Sequence, residues 1–274
     1  MRILLITTLL LLSLAACRSS STGGGTGGGA TPTGGDPAAE GGAVPNAAAY
    51  SSDDIYEDIL FFESRVNSTE RALFLENYRS IGDAILSACP VYFPEFPLMN
   101  CARIFISNVL KESTFYQFEA HETDAEFPTL GLLQIRRSST VDSFNDYGNP
   151  VPLQERGIYF ADPTDEEMMN IGYNIFLGMW YISVHARSNA EYTRTYCTER
   201  AIIEANPGTL TVGLSCHRIG PTAYQEGDAG DLATAQNYVD EIRTDYLSLF
   251  AAEGTTPDAD YFNQTLPYLA SLCR

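Results

Sequence analysis

Asn108 to Thr140 reads NVLKESTFYQFEAHETDAEFPTLGLLQIRRSST, and one acidic residue in it stands in a costly place. Glu112 follows the mostly apolar run Ile104 to Leu110, where a charge is unfavourable unless it has a task. Nineteen residues later comes a small, uncharged run, Gly131-Leu132-Leu133-Gln134-Ile135. A carboxylate closing a buried helix, followed by a glycine-led turn, is the arrangement that the rest of the chain has to explain.

Helical spacing of apolar residues recurs on both sides of this stretch and period-two alternation is scarce, so the chain reads as a mainly α globule. Behind a Ser/Asp start, Ile55, Ile59, Phe62 and Val66 share one face, and the next helix continues with Leu73, Tyr78, Ile81 and Leu86. Cys101 to Leu110 is a short helix leading to Glu112. Thr164 and Glu167 stand in capping-box spacing. They open a single helix with Met168, Ile171, Ile175, Gly178, Ile182 and Ala186 on its stripe. A further helix occupies Ala190 to Ala205, stopped by Asn206-Pro207-Gly208. Another starts at Asp231, with Tyr238, Ile242, Tyr246 and Leu249 inward and Gly254 ending it.

The N-terminus has its own logic. Residues 1–16 carry Arg2, an apolar run and small residues before Cys17, the pattern of a secretory signal, and the run is too short to span a bilayer. Leu-Ala-Ala-Cys resembles the bacterial lipobox, which implies a lipid anchor on Cys17 and a place in the cell envelope, facing the periplasm or the exterior. Residues 17–49 are rich in Gly, Ser, Thr and Pro, cannot bury a core, and read as a disordered tether with a reach of about 30 Å. Residues 50–274 suffice for one folded domain, expected as a monomer. A formal charge of −19 makes nucleic acid and anionic lipid surfaces poor partners. With Cys17 set aside, five cysteines remain, and export favours disulfides. Cys89 and Cys101 flank a Pro-rich loop and form the first expected pair; Cys197, Cys216 and Cys273 allow three pairings with one thiol left over. No Cys/His spacing suggests zinc.

Four patterns fall in one order: Glu112-Ser113-Thr114-Phe115, Gly131 to Ile135, Asn174-Ile175 with Gly178 and Tyr181-Ile182, and Ile219-Gly220-Pro221 ahead of Tyr238. Together they resemble the lysozyme-like lytic transglycosylases that cut bacterial peptidoglycan, over about residues 101–250. The resemblance implies a lysozyme-like α-helical domain that cleaves the MurNAc–GlcNAc bond without a cofactor or metal. Glu112 would be its acid/base, and Ser113, Gly131, Leu132, Leu133 and Gln134 would line the glycan cleft. The nineteen-residue step is more like goose-type lysozymes, a branch whose members add aspartates around the turn. Here Asp124 and Glu126 flank one such place, held by Ala125, and Arg136 occupies the other. His217-Arg218 replaces the family's Tyr-Asn, and the pair reads either as substrate-binding with altered glycan contacts or as a solvated corner.

The chemistry expected of Glu112 follows from its setting. A carboxyl walled by Val109, Leu110 and Phe115 has a raised pKa, keeps its proton and can give it to a leaving glycosidic oxygen. Once ionised it can act as base. In a transglycosylase that base takes the proton of the muramic C6 hydroxyl and an anhydro ring closes. In an inverting hydrolase a second carboxylate about 6.5–9.5 Å from the first activates water, Asp124 being the one to test. The bland alternative makes Glu112 a helix cap or an ion-pair partner of Lys111 or Arg103. Gly178 and Tyr181 read as packing residues, His121 and His185 as surface residues, and Asp228 and Asp231 as a solvated loop lacking the ligand spacing of an EF-hand. The acidic chain and the changed Tyr-Asn pair also suggest de-N-acetylated, cationic glycan as substrate. A glycan-binding protein without catalysis is the alternative of another class.

Overall fold

The computed structural model describes residues 50–121, 128–137 and 163–273. The expected signal segment, Cys17, the tether and Asp124 lie outside the described residues.

Helix α1 (Ser52–Phe61) starts at a capping box in which Ser51 and Asp54 each accept the other's backbone N–H. Ile55, Ile59, Phe62 and Val66 are buried as their spacing requires, the last two past the helix end, at and beyond a 3-10 turn over Glu63–Arg65. In α2 (Arg71–Tyr92) the buried stripe is Phe74, Ile81, Ile85 and Ala88, whereas Leu73, Tyr78 and Leu86 are only half-buried. The expected stripe advanced in steps of five and three and drifts around the helix; the observed one keeps close to the 3.6-residue turn. The helix also runs through Pro90, which cannot donate a hydrogen bond, and closes when Phe93 N–H donates to Cys89 O at 2.8 Å. The expected Pro-rich loop is therefore shorter than the sequence suggested.

Helix α3 (Leu98–Ser113) exceeds its expected length at both ends and is buried without a break from Asn100 to Leu110. Two consecutive residues in the left-handed region, Thr114 (φ 52°) and Phe115 (φ 66°), stop it just after Glu112. Such a conformation costs a non-glycine residue about 1–2 kcal/mol. Phe115 is held there by burial against Phe74, ring centroids 5.5 Å apart. Three two-residue strands follow, β1 (Ala120–His121), β2 (Thr129–Leu130) and β3 (Ile135–Arg136), in an antiparallel sheet that pairs Ala120 with Leu130 and Leu130 with Ile135.

The single helix expected from Thr164 is two. The capping box of Thr164 and Glu167 opens a short α4 (Asp165–Met168), and Asn170 then caps a new helix, α5 (Ile171–Arg187), accepting Tyr173 N–H at 3.1 Å. All residues from Asn174 to Ser188 are buried, so α5 is a central helix enclosed on every side rather than an amphipathic one. It packs on α2 and on α7 (Leu210–Ile219). His185, expected at the surface, is buried there.

Of the segment Ala190 to Ala205 only α6 (Arg200–Ala205) is α-helical, because Asn189 (φ 50°) and Ala190 (φ 58°) turn the chain and a 3-10 turn at Thr193–Thr195 follows. A short α8 (Pro221–Glu226) leads to α9 (Ala229–Ala252), which packs on α3 and α7. Asp228 is the cap of α9, accepting from Gly230 and Asp231 N–H at 2.8 and 3.3 Å. Tyr238, Ile242, Tyr246 and Leu249 are buried as expected.

Two disulfides join Cys89 to Cys101 and Cys197 to Cys273, leaving Cys216 as a buried thiol within α7. Buried cations stitch the helices: Arg103 pairs with Asp58 at 2.8 Å and with Glu253, and Arg187 pairs with Glu95 at 2.7 Å. Among the described residues no helix is long and apolar enough to cross a membrane.

Candidate active site

The turn Gly131–Gln134 is held from inside. Gly131 has φ +78°, and a Cβ there would come within 2.3 Å of Asn174 Nδ2, so only glycine fits. Asn174, buried in the first turns of α5, accepts Leu133 N–H at 2.7 Å and donates to the carbonyls of Leu130 and Met168 at 2.9 and 2.8 Å. One turn along, a Cβ on Gly178 would lie 2.5 Å from Leu133 Cδ1, so the missing side chain lets Leu133 seat against α5. Gln134 completes the lock. Its Nε2 donates to the carbonyls of Glu119 and Gly131 at 3.0 and 2.6 Å, and its Oε1 accepts from Thr129 at 2.9 Å.

Glu112 lies in the last turn of α3, its side chain 8% exposed. Neither rival ion-pair partner takes it: Lys111 pairs with Glu241 and Arg103 with Asp58 and Glu253. Instead Tyr238 of α9 donates its hydroxyl to Glu112 Oε1, and His217 Nε2, at the end of α7, is 3.4 Å from the same oxygen. Tyr238 Oη is also 2.7 Å from Asn108 Oδ1, one helical turn before Glu112. The phenol has one hydrogen to give. With Glu112 ionised it goes to the carboxylate, and Asn108 with its amide turned donates Nδ2–H to the phenol oxygen, which also gives that buried nitrogen a partner.

Here the sequence expectation is corrected. Burial does push the Glu112 carboxyl up, but the hydrogen bond and charge of His217, then the Tyr238 hydroxyl and the Arg218 charge, outweigh it. The carboxyl is held below the usual glutamate range, so Glu112 is ionised near neutral pH. Apolar walls alone do not describe its surroundings: Val109, Leu110 and Phe115 are buried, yet His217 and Tyr238 reach in from α7 and α9, and the charge of Arg218 acts from the surface.

A pocket of about 170 Å³ opens beside this group, lined by Thr129, Gln134, Ile135 and Arg136 of the small sheet, Tyr181 of α5, and Cys216 to Gly220 around the end of α7. Of the residues singled out from the sequence, Gln134, His217 and Arg218 meet at this pocket and Glu112 reaches it through His217. Ser113 is buried and its hydroxyl donates to Val109 O at 3.2 Å. Leu132 and Leu133 are wholly buried, and Gly131 is pinned beneath Asn174.

Several participants were not named from the sequence as site residues: Tyr238, read as core and as the close of the fourth pattern, and Asn108, Thr129, Tyr181 and Arg136, which take part in or line the site. Asn108 carried a readable sign, a polar side chain four residues before Glu112 in a mostly apolar run. No protein-family model, curated protein or solved structure matches this chain.

Proposed function

We propose that this chain cleaves the MurNAc–GlcNAc bond of peptidoglycan as a lysozyme-like lytic transglycosylase, with Glu112 as the acid/base. One observation carries the reading. The four sequence patterns, spread over more than a hundred residues, converge: the turn ending at Gln134, Tyr181 of α5 and His217 to Gly220 line one pocket, and Glu112 touches its His217. A bound glycan would strip water from that pocket, which raises the cost of a carboxylate and favours the protonated acid. Glu112 then donates to the leaving oxygen and, as base, takes the proton of the muramic C6 hydroxyl.

The anhydro-forming route is favoured over hydrolysis because the sequence patterns mark one catalytic acid, Glu112, and Arg136 stands where an added aspartate would be. Asp124 keeps its place as the residue to test for a goose-type, hydrolytic outcome. Arg136 and Arg218 also bear on the substrate: a free amine on a de-N-acetylated strand would meet like charge at this pocket, so acetylated strands suit it better. Two disulfides fit an exported protein, in keeping with a lipid anchor at Cys17 and an envelope location.

The test is digestion of purified sacculi followed by mass spectrometry of the products. Anhydro ends support the transglycosylase, and reducing ends point to the goose-type hydrolase. Clearing that survives Glu112→Gln, or that the unaltered protein never produces, leaves a glycan-binding protein as the better account.

A further inference from the structure

We infer that His217 is the proton store of this site: paired with an ionised Glu112 while the pocket is wet, it passes its proton to the carboxylate when a bound glycan excludes water. The inference rests on the reading proposed above and adds a residue that the family resemblance does not supply, because His217 stands where that family has tyrosine.

The geometry is specific. His217 Nε2 is 3.4 Å from Glu112 Oε1, both side chains are nearly buried at 4% and 8% exposure, and the imidazole forms part of the pocket wall. Tyr238 fixes the carboxylate from the opposite helix by donating to the same oxygen. A carboxylate beside an imidazolium is favoured in water. In a drier surrounding the two charges are expensive to keep, and the neutral pair of carboxylic acid and imidazole gains.

The step balances without another reactant. The Nε2–H bond of His217 breaks, an O–H bond forms on Glu112, and a positive and a negative charge vanish together. Glu112 then gives that proton to the glycosidic oxygen and recovers one from the substrate hydroxyl, which can return to His217 when product leaves and water re-enters.

The pair of Glu112 and His217 is flanked by groups that each hold one charge state. Tyr181 and His185 of α5, Cys216 and Arg218 of α7, Tyr238 of α9 and Arg136 of β3 are the titratable or charged groups around it. Burial pushes Tyr181, Tyr238 and Cys216 up, so they remain neutral. Burial, then the charge of His217, brings His185 down to about 3, so it stays neutral too. The two arginines remain cationic. Histidine is the side chain suited to carry a mobile proton between pH 5 and 8.

The test is the initial rate of sacculus digestion by the full chain from pH 4 to 9, comparing the unaltered protein with His217→Gln, which keeps a donor but cannot carry a mobile proton. The expected result is that the alkaline limb moves to lower pH. The variant then loses at least tenfold at pH 7.5 and approaches the parent rate near pH 5, where solvent can protonate Glu112. A profile of unchanged shape, merely scaled down, overturns the inference and leaves His217 a packing residue. If the variant does not fold, the ¹⁵N shifts of His217 in the unaltered protein decide. Adding an N-acetylglucosamine tetramer at pH 6 should move them from the imidazolium to the neutral pattern, and bound tetramer with no such change counts against the proton store. An unaltered protein that releases no glycan fragments sinks the proposed function itself, whereas fragment release with an unshifted profile sinks only the role of His217.

Discussion

Asn174 Oδ1 accepts the backbone N–H of Leu133 at 2.7 Å, while the same side chain's Nδ2 donates to Leu130 and Met168 carbonyls. A single amide from α5 therefore satisfies three buried backbone groups of the turn and its approach. Replacing it with Ala strands all three. At about 1–3 kcal/mol for each buried group left unpaired, partly offset by relaxation and water entry, Asn174→Ala should cost about 3–5 kcal/mol. Urea unfolding measures this; a loss below 1 kcal/mol would mean that the turn holds itself.

Gly178 meets the same turn from the next helical turn of α5. A methyl group there would lie 2.5 Å from Leu133 Cδ1 and 2.8 Å from its Cβ, both closer than packed atoms allow. Gly178→Ala should gain a little helix propensity and lose more to overpacking, a net cost of about 1–3 kcal/mol. Adding Leu133→Ala removes the Cδ1 clash but not the Cβ contact. The double variant should therefore recover part of the overpacking loss and show a coupling of the sign that marks direct contact, measurable as a double-mutant cycle in urea.

Glu112 links the site to acid stability. Its carboxyl is lower in the folded protein than its ordinary value of 4.5, since burial is outweighed by His217, Tyr238 and Arg218. A depressed carboxyl stabilises the fold above the unfolded pKa, and that contribution is lost as pH falls through the folded one. Glu112→Gln should thus be less stable than the parent at pH 7, with the gap narrowing as pH drops below 4.5. Denaturant midpoints at pH 7, 5, 4 and 3 check the sign. A gap that widens toward acid would show that burial, not the three polar groups, governs this carboxyl.

How far the sequence reaches differs between fold and site. Helices with one apolar face, such as α1 and α9, were legible because their spacing repeats the helical turn, and Thr164 and Glu167 announced a cap. The break at Asn170 was not, since Met168, Ile171 and Ile175 keep helical spacing across it while a second cap restarts the backbone. α5 itself is buried all round, so no stripe marks its orientation. In the site, Glu112 stood out as a charge on an apolar helix, and Gly131 and Gln134 as turn residues. Tyr238 was hidden among inward residues of α9, where a phenol that donates a hydrogen bond is spelled like one that only fills space. The depressed pKa of Glu112 depends on groups 105 to 126 residues away, beyond the range of any local pattern.

The C-terminal tail offers a test of what ties the chain together. Cys197–Cys273 closes a loop of 76 residues and Cys89–Cys101 one of 12. On the chain-entropy account these are worth about 4.5 and about 3 kcal/mol. Cys89 and Cys101 are wholly buried, so alanine there also leaves a cavity, and total stability alone does not separate the two bridges. Locality does. Upstream of Pro267 the tail is fastened independently, by Leu266 N–H to Gly208 O at 2.9 Å and by Arg187 to Pro267 O at 2.5 Å. Beyond it, the bridge, the bonds between Tyr196 and Leu269, the Tyr196–Tyr268 ring contact and the buried Leu272 hold the tail. Cys197→Ala with Cys273→Ala should open the chain to chymotrypsin at Tyr268 and Leu269 while the rest resists. Cys89→Ala with Cys101→Ala should lower the melting temperature and leave that tail protected. Equal cleavage at Tyr268 in both double variants would mean that the tail is held by the global fold and not by its own disulfide.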